Sequence, residues 1–268
     1  MTEQAERYDR IATGYARWWA PIIAPQAVAL LDHLEPAIAA GARRIIDIGT
    51  GTGTLAIAAI RRWPEIEVVG IDASSGMTDV AAAEADRLLS VSDRRRFDTR
   101  VAFADGLPFD DGSFDVAMSS FVFQLVPNRF RALREARRVL RPGGTLAYVS
   151  WLAEHRAFKP DADFDAALDE IGIGERDWDD RPGDLPSVEG AIAQLRRAGF
   201  AAVTGETGLL RLILSRSPWT GLQHVLHAIH KEPDLDALAF DRAAYAHIQH
   251  ASNDPTLTSV YNRPLSRA

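Results

Sequence analysis

The stretch Arg44-Ile45-Ile46-Asp47-Ile48-Gly49-Thr50-Gly51-Thr52-Gly53-Thr54 constrains this chain more than any other. Its isoleucines predict a strand. Three glycines on alternate positions then predict a sharp turn that a ligand can approach closely. An apolar helical pattern follows at once, over Thr54–Arg62. A strand that turns through glycines into a helix opens a βαβ unit. In an open α/β sheet, ligands sit just outside the carboxyl ends of the strands, so this loop is expected to floor a pocket.

The alternation continues. Further strands are predicted at Glu67–Ile71, Thr99–Phe103, Phe114–Ser119 and Thr145–Ser150, beside the first at Arg44–Ile48, with helices at Gly76–Leu89 and Arg129–Leu140. The strands are near-continuous apolar runs, as in a mostly parallel sheet with helices on both faces. Residues 1–42 form an expected helical cap, with a helix over Gln26–His33 and interruptions at Pro21 and Pro25. Residues 43–268 form the main domain. Within it, residues 152–190 are rich in Asp, Gly and Pro and read as a lid-like insertion, partly helical around Ala162–Glu170. A helix over Val188–Ala198 stops at Gly199, a usual helix-ending residue. Two more strands are expected at Ala201–Thr207 and Leu209–Leu214, and helices from Pro218 onward.

Composition narrows the function. The 268 residues are 47% hydrophobic and 25% charged, which places the chain among globular proteins rather than disordered ones. It has no cysteine, which removes a disulfide framework, a Cys-ligated metal and a thiol nucleophile together. The net charge of −7 argues against a nucleic-acid partner held by phosphate neutralisation. The N-terminus has scattered charges and no apolar core of a secretory signal. The uncharged run from Val116 to Asn128 is too short to span a bilayer, which needs about 20 apolar residues. A cytoplasmic protein with no membrane span is expected.

The glycine spacing then selects among ligands. A dinucleotide fingerprint wants a third glycine where Thr54 stands, and a P-loop wants a following Gly-Lys-Ser/Thr that this chain lacks. A nucleoside without a pyrophosphate fits better. Asp72 ends the second strand, 23 residues after Gly49, close to the usual offset of a ribose-binding carboxylate. Asp105 ends the third strand, where a carboxylate can accept from an exocyclic adenine amine. Either aspartate alone could be a helix cap. Both, beside the glycine loop, point to a nucleoside site.

Taken in order, Asp47-Ile48-Gly49-Thr50-Gly51-Thr52-Gly53, Gly70-Ile71-Asp72 with Met77, Asp105-Gly106-Leu107-Pro108-Phe109, Phe114-Asp115-Val116 and Leu133-Arg134-Glu135-Ala136-Arg137-Arg138-Val139-Leu140-Arg141-Pro142-Gly143-Gly144 resemble the class I methyltransferases that use S-adenosylmethionine. The resemblance is strongest to the small-molecule branch, which includes quinone-biosynthesis and natural-product methyltransferases. It covers roughly residues 5–215. It implies a Rossmann-like, seven-stranded, mostly parallel sheet whose last strand is antiparallel. It implies methyl transfer to an O, N or C atom of a small organic acceptor, leaving S-adenosylhomocysteine. It also implies roles for single residues. Gly49, Thr50, Gly51 and Gly53 would meet the methionine part, Asp72 the ribose, Ala73 and Met77 the adenine ring, and Asp105 and Gly106 the adenine amine. Ser119 and Ser120 would line the cofactor, and Tyr15, or else Tyr8, would approach its carboxylate.

The acceptor side is less defined. Tyr8, Trp18, Phe121, Phe123 and Gln124 are candidates for an acceptor pocket, with core packing as the rival reading for the aromatic ones. His155, just after the fifth strand, is the candidate general base. His224, His227 and His230 spread around a helix and are not expected to bind metal. The run Arg94-Arg95-Arg96 reads as a solvated helix end. A nicotinamide-dependent oxidoreductase and a non-catalytic nucleoside-binding module remain the alternatives. A nucleic-acid methyltransferase fits less well. A small-molecule substrate and a monomer or homodimer are expected.

Overall fold

The computed structural model describes residues 3–152, 185–210 and 263–267. Its centre is a five-stranded parallel sheet. The strands are β1 (Arg44–Ile48), β2 (Glu67–Asp72), β3 (Phe97–Val101), β4 (Phe114–Ser120) and β5 (Leu140–Trp151), in the order β3-β2-β1-β4-β5. Strand order reverses between β1 and β4. Such a switch point opens a crevice beyond the carboxyl ends of the strands. Past β5, the strands β6 (Glu206–Leu210) and β7 (Arg263–Arg267) add two antiparallel pairings, β5 with β7 and β7 with β6.

Each face of the sheet has its own core. Alternate residues of a strand point to opposite faces, and β1 divides accordingly. Ile45 joins Leu34, Leu55, Ile60, Val68 and Met118 on one face. Ile46 and Ile48 join Phe114, Leu133, Tyr148 and Leu195 on the other. The covering helices are α4 (Thr54–Arg62), α5 (Ser75–Leu88), the short α6 (Val91–Arg94), α7 (Arg129–Val139) and α8 (Val188–Arg197), with α1 (Glu3–Gly14), α2 (Ala20–Ala29) and α3 (Glu35–Ala39) preceding the sheet. Ser74, Ser90, Asn128 and Ser187 cap α5, α6, α7 and α8, each accepting a backbone N–H of the first turn. Among the described residues no helix is long and apolar enough to cross a membrane.

Several expectations need correction. Pro21 and Pro25 do not break the N-terminal helix. Pro21 sits in the first turn of α2, just after a π turn in which the Ala20 N–H reaches back to the Tyr15 carbonyl, so the helix runs on through it. A π-helical turn over Tyr15–Trp19 leads into α2, and Pro25 lies inside it while Ile23 and Ala27 bury the helix's inner face. Arg96 is not a solvated helix end. Its guanidinium donates to the Ile60, Trp63 and Ile66 carbonyls and to Asp93, closing the C-terminal end of α4. A cation at a helix C-terminus is favoured by the carbonyls left open there. Strand β3 runs Phe97–Val101 rather than Thr99–Phe103, so Asp105 does not end it but lies in the turn that follows, and β5 begins at Leu140 rather than Thr145, with a register irregularity opposite Phe114 and Val116. Residues 201–205 are not strand: Ala202 adopts φ +53, and β6 starts at Glu206. The lid-like insertion, apart from its ends, and the expected helices after Pro218 lie outside the described residues.

Candidate functional site

The site is built on β1 and the glycine loop. Gly49, Gly51 and Gly53 all have positive φ, at +71°, +53° and +81°. At Gly49 the need is steric as well. A Cβ there would fall 2.3 Å from Val122 Cγ2, so the loop and the segment after β4 press directly together. Thr50 turns inward. Its N–H donates to the Ile71 carbonyl (2.8 Å), its hydroxyl donates to the Asp47 carboxylate (2.8 Å), and its side chain fills the space over Gly70.

Asp72 then ties two strand ends together. One carboxylate oxygen accepts the Gly51 N–H at 2.9 Å and the other accepts the Ser74 N–H at 3.0 Å. Burial pushes this carboxyl up, against the downward pull of those N–H groups. Beneath it, Asp47 is fully buried. Burial raises its carboxyl to about 7, despite the Thr50 bond, and the nearby Asp72 charge adds to the rise. One Asp47 oxygen meets no hydrogen-bond partner.

The N-terminal helix reaches over this corner. Asp9 on α1 accepts from the Ser74 hydroxyl at 2.5 Å and from the Gly76 N–H at 2.8 Å, at the start of α5. Its carboxyl is held below the ordinary range, first by the Ser74 bond and then by the Gly76 N–H. Gly76 lets the two helices meet, since a Cβ there would come 3.0 Å from the Asp9 carbonyl.

These pieces enclose a cavity of about 180 Å³ at the switch point. Of the expected cofactor residues, Tyr15, Gly49, Gly51, Asp72, Ala73, Met77, Asp105 and Ser120 line it. Thr50, Gly53, Gly106 and Ser119 do not. Thr50 is turned toward Asp47. Gly53 begins α4 against Ala81. Gly106 is exposed, and the Ser119 hydroxyl is spent on the Ile48 carbonyl at 2.7 Å. Of the acceptor candidates, Tyr8 and Phe121 line the cavity. Tyr8 meets Tyr15 edge to face at 6.0 Å, and burial drives the Tyr15 hydroxyl well above its ordinary pKa. Phe121 has φ +57 and stacks on Trp151 at 4.5 Å. Phe123 instead packs in the core, edge-on to Tyr148, and Gln124 accepts from the buried Ser150 hydroxyl at 2.7 Å. Trp18 belongs to the π turn. His155, His224, His227 and His230 lie outside the described residues.

Sequence reasoning missed other wall residues. Leu125, Val126 and Pro127 follow Gln124 into the cavity wall, and Ala102 and Phe103 join from the end of β3. Gln4 also lines it, and its amide nitrogen is buried with no partner. Its position four residues before Tyr8, on the same helix face, was the available signal.

Comparison with known proteins bears on the central part of the chain. Residues 46–148 match the model of the methyltransferase domain, a span holding the glycine loop, Asp72, Asp105 and α7. This core is similar to the class I, S-adenosylmethionine-dependent methyltransferases. A malonyl-[acyl-carrier protein] O-methyltransferase of Geobacter sulfurreducens is 34% identical over 177 residues, covering 64% of this chain and 58% of that protein. A ubiquinone/menaquinone biosynthesis C-methyltransferase of Dinoroseobacter shibae is 36% identical over 157 residues, covering 56% and 57%. The chain thus spans roughly half the length of the curated methyltransferases it matches. Among solved structures, the [4+2]-cyclase SpnF superposes with a TM-score of 0.53 at 24% identity, covering 85% of this chain and 75% of that one. That likeness shows the fold alone.

Proposed function

We propose that this chain transfers the methyl group of S-adenosylmethionine to an O, N or C atom of a small organic acceptor, releasing S-adenosylhomocysteine. The observation that carries this reading is Asp72, a carboxylate at the end of β2, facing the cavity and fixed by the Gly51 and Ser74 N–H groups. Both its oxygens keep lone pairs free for ribose hydroxyls. The residues present fit the cofactor: a glycine-walled floor at Gly49 and Gly51, an apolar slot between Met77 and Ala102, and an acidic rim at Asp105.

When bound, S-adenosylmethionine supplies an activated sulfonium methyl group, and most of the chemistry is its own. The chain's part is placement. Gly49 and Gly51 admit the cofactor's chain, Asp72 and Asp105 fix its nucleoside, and the aromatic rings of Tyr8 and Tyr15 favour a cationic centre near their faces. Leu125, Val126, Pro127 and Phe121 form an apolar wall that keeps water from the acceptor and aligns it for in-line displacement. His155 is the candidate base for an acceptor that must lose a proton. In this reading residues 1–42 are a cap over the site and residues 43–268 a methyltransferase domain, with the seven-stranded, antiparallel-ended sheet of the family and a lid-like insertion over 152–190. The chain would work in the cytoplasm as a monomer or homodimer on a small-molecule substrate.

The test is methyl-labelled S-adenosylmethionine incubated with the protein and a panel of phenols, amines and quinone precursors. Labelled product that disappears with Asp72→Ala supports the proposal. A chain that binds S-adenosylhomocysteine yet transfers label to no acceptor is a binding module, or carries a different reaction on this fold.

A further inference from the structure

Helix α7 carries the stretch Leu133-Arg134-Glu135-Ala136-Arg137-Arg138, whose Leu133 and Ala136 face the core. Glu135 and Arg138 stand three residues apart and grip the loop between β3 and β4. The Leu107 N–H donates to Glu135 Oε2 at 2.9 Å, and the Leu107 carbonyl accepts from Arg138 Nη2 at 2.9 Å. The same guanidinium donates to the Phe109 carbonyl at 2.7 Å and to Asp111 at 2.8 Å. It also binds both Glu135 oxygens, at 2.9 and 2.8 Å. Both hydrogen-bonding groups of the Leu107 residue are therefore held by one ion pair. Each ion-pair partner strengthens the other: Arg138 keeps the Glu135 carboxyl below its ordinary range, and Glu135 raises the guanidinium.

This grip sits two residues from the cavity. Leu107 itself is buried, while Asp105 lines the site. The Gly106 N–H closes a turn on the Phe103 carbonyl at 3.1 Å. Asp105 thus lies on a short bridge whose two ends are fixed, one by that turn and one by the α7 pair. Gly106 has open space where a Cβ would stand, which leaves the Phe103 bond and the gripped Leu107 to fix its place. Gly106 alone separates Asp105 from Leu107.

We propose that Glu135 and Arg138 are positioning residues that set the Asp105 carboxylate against the exocyclic amine of the bound adenine, and so govern base discrimination at this site. The proposal rests on the S-adenosylmethionine reading. It predicts a selective effect. A carboxylate that accepts from an adenine amine faces a carbonyl oxygen when the base is hypoxanthine. A misplaced carboxylate loses the favourable contact with the first and the penalty with the second.

The experiment is calorimetric titration of the intact chain with S-adenosylhomocysteine and with S-inosylhomocysteine. The unaltered chain should prefer the adenine ligand by about tenfold or more, the worth of one hydrogen bond to a charged group. Glu135→Gln keeps an acceptor oxygen for Leu107 but loses the charged fork. It should cut that preference about fivefold, mainly by weakening the adenine ligand. Arg138→Lys keeps the charge without the planar fork and should act in the same direction. Asp105→Asn should remove the preference, and adding Glu135→Gln to it should change the preference no further. Thermal unfolding checks that each variant is folded, and Arg138→Lys carries the test if Glu135→Gln is not. Equal weakening of both ligands, or an unchanged preference, overturns the positioning role and leaves a purely structural clamp. An unaltered chain that binds both ligands equally overturns it through Asp105. A chain that binds neither overturns the cofactor reading itself.

Discussion

The two sides of the cavity are held in different ways. On the nucleoside side, backbone does the holding: three glycines with positive φ, an aspartate bonded to two loop N–H groups, and a Leu107 peptide gripped from α7. On the acceptor side, Tyr8, Phe121, Leu125, Val126 and Pro127 contribute mostly apolar surface, with Phe121 and Trp151 packed ring against ring. The first side can tolerate few residue types at each position. The second needs only suitable volume, so many sequences satisfy it. A site that must hold one cofactor but varied acceptors is expected to divide in this way.

Substitutions can break or sharpen that contrast. The largest effect belongs to Gly49→Ala. Its methyl group must displace Val122 and occupy a left-handed backbone, costing about 2–4 kcal/mol of stability, read by chemical denaturation. Binding of S-adenosylhomocysteine should fall at least tenfold. A stable variant with unchanged binding would show that the close approach at Gly49 is dispensable.

Asp47→Asn comes next, and its signature is pH. A buried carboxyl raised to about 7 binds its proton more tightly folded than unfolded. Its neutral form is what the fold accommodates. The stability is therefore full below about pH 4 and declines as pH rises through about 7, by an amount on the order of a few kcal/mol. The asparagine variant should flatten this decline and be the more stable protein at pH 8. Parallel denaturation midpoints for both proteins across that range would contradict the assignment.

Asp9→Ala should be smaller. It removes the acceptor of the Gly76 N–H at the start of α5 and the link from α1 to Ser74, about 1 kcal/mol, and should speed release of S-adenosylhomocysteine several-fold in stopped flow. Because the Asp9 carboxyl is lowered, its contribution is present above its unfolded value of 3.8 and is lost as pH falls through the folded value. The smallest effect on the cofactor belongs to Leu125→Ala. S-adenosylhomocysteine affinity should stay within about twofold, while the KM for the acceptor changes, as expected for lost apolar contact. A large loss of cofactor affinity there would erase the distinction between the two sides.

The same contrast explains what was legible in the sequence. Strand β1 and helix α4 have the boundaries expected from their pattern, because glycines leave the chain few choices there. Asp72 was found from its place at a strand end, while Asp105, expected at one, stands in the turn four residues past the end of β3. Thr50 and Ser119 sit in motif positions but spend their hydroxyls on Asp47 and the Ile48 carbonyl, which no spacing reveals. Phe123 and Phe121 are two residues apart on one segment, yet one is core and the other cavity wall, a matter of which way the chain leaves β4. Asp9 bonds to groups 65 and 67 residues away, and Arg96 to groups 30 to 36 away, so neither partnership has a local signature.

The central claim is a nucleoside cofactor held by Asp72, and the most direct measurement is calorimetric titration of the purified protein with S-adenosylhomocysteine, NAD and NADP, repeated with Asp72→Ala. The account predicts micromolar binding of S-adenosylhomocysteine, weakened about a hundredfold in the variant, as two hydrogen bonds to a charged group would be, and no comparable binding of either dinucleotide. Clear binding of NAD or NADP without S-adenosylhomocysteine would contradict it and place the chain among the nicotinamide-dependent oxidoreductases.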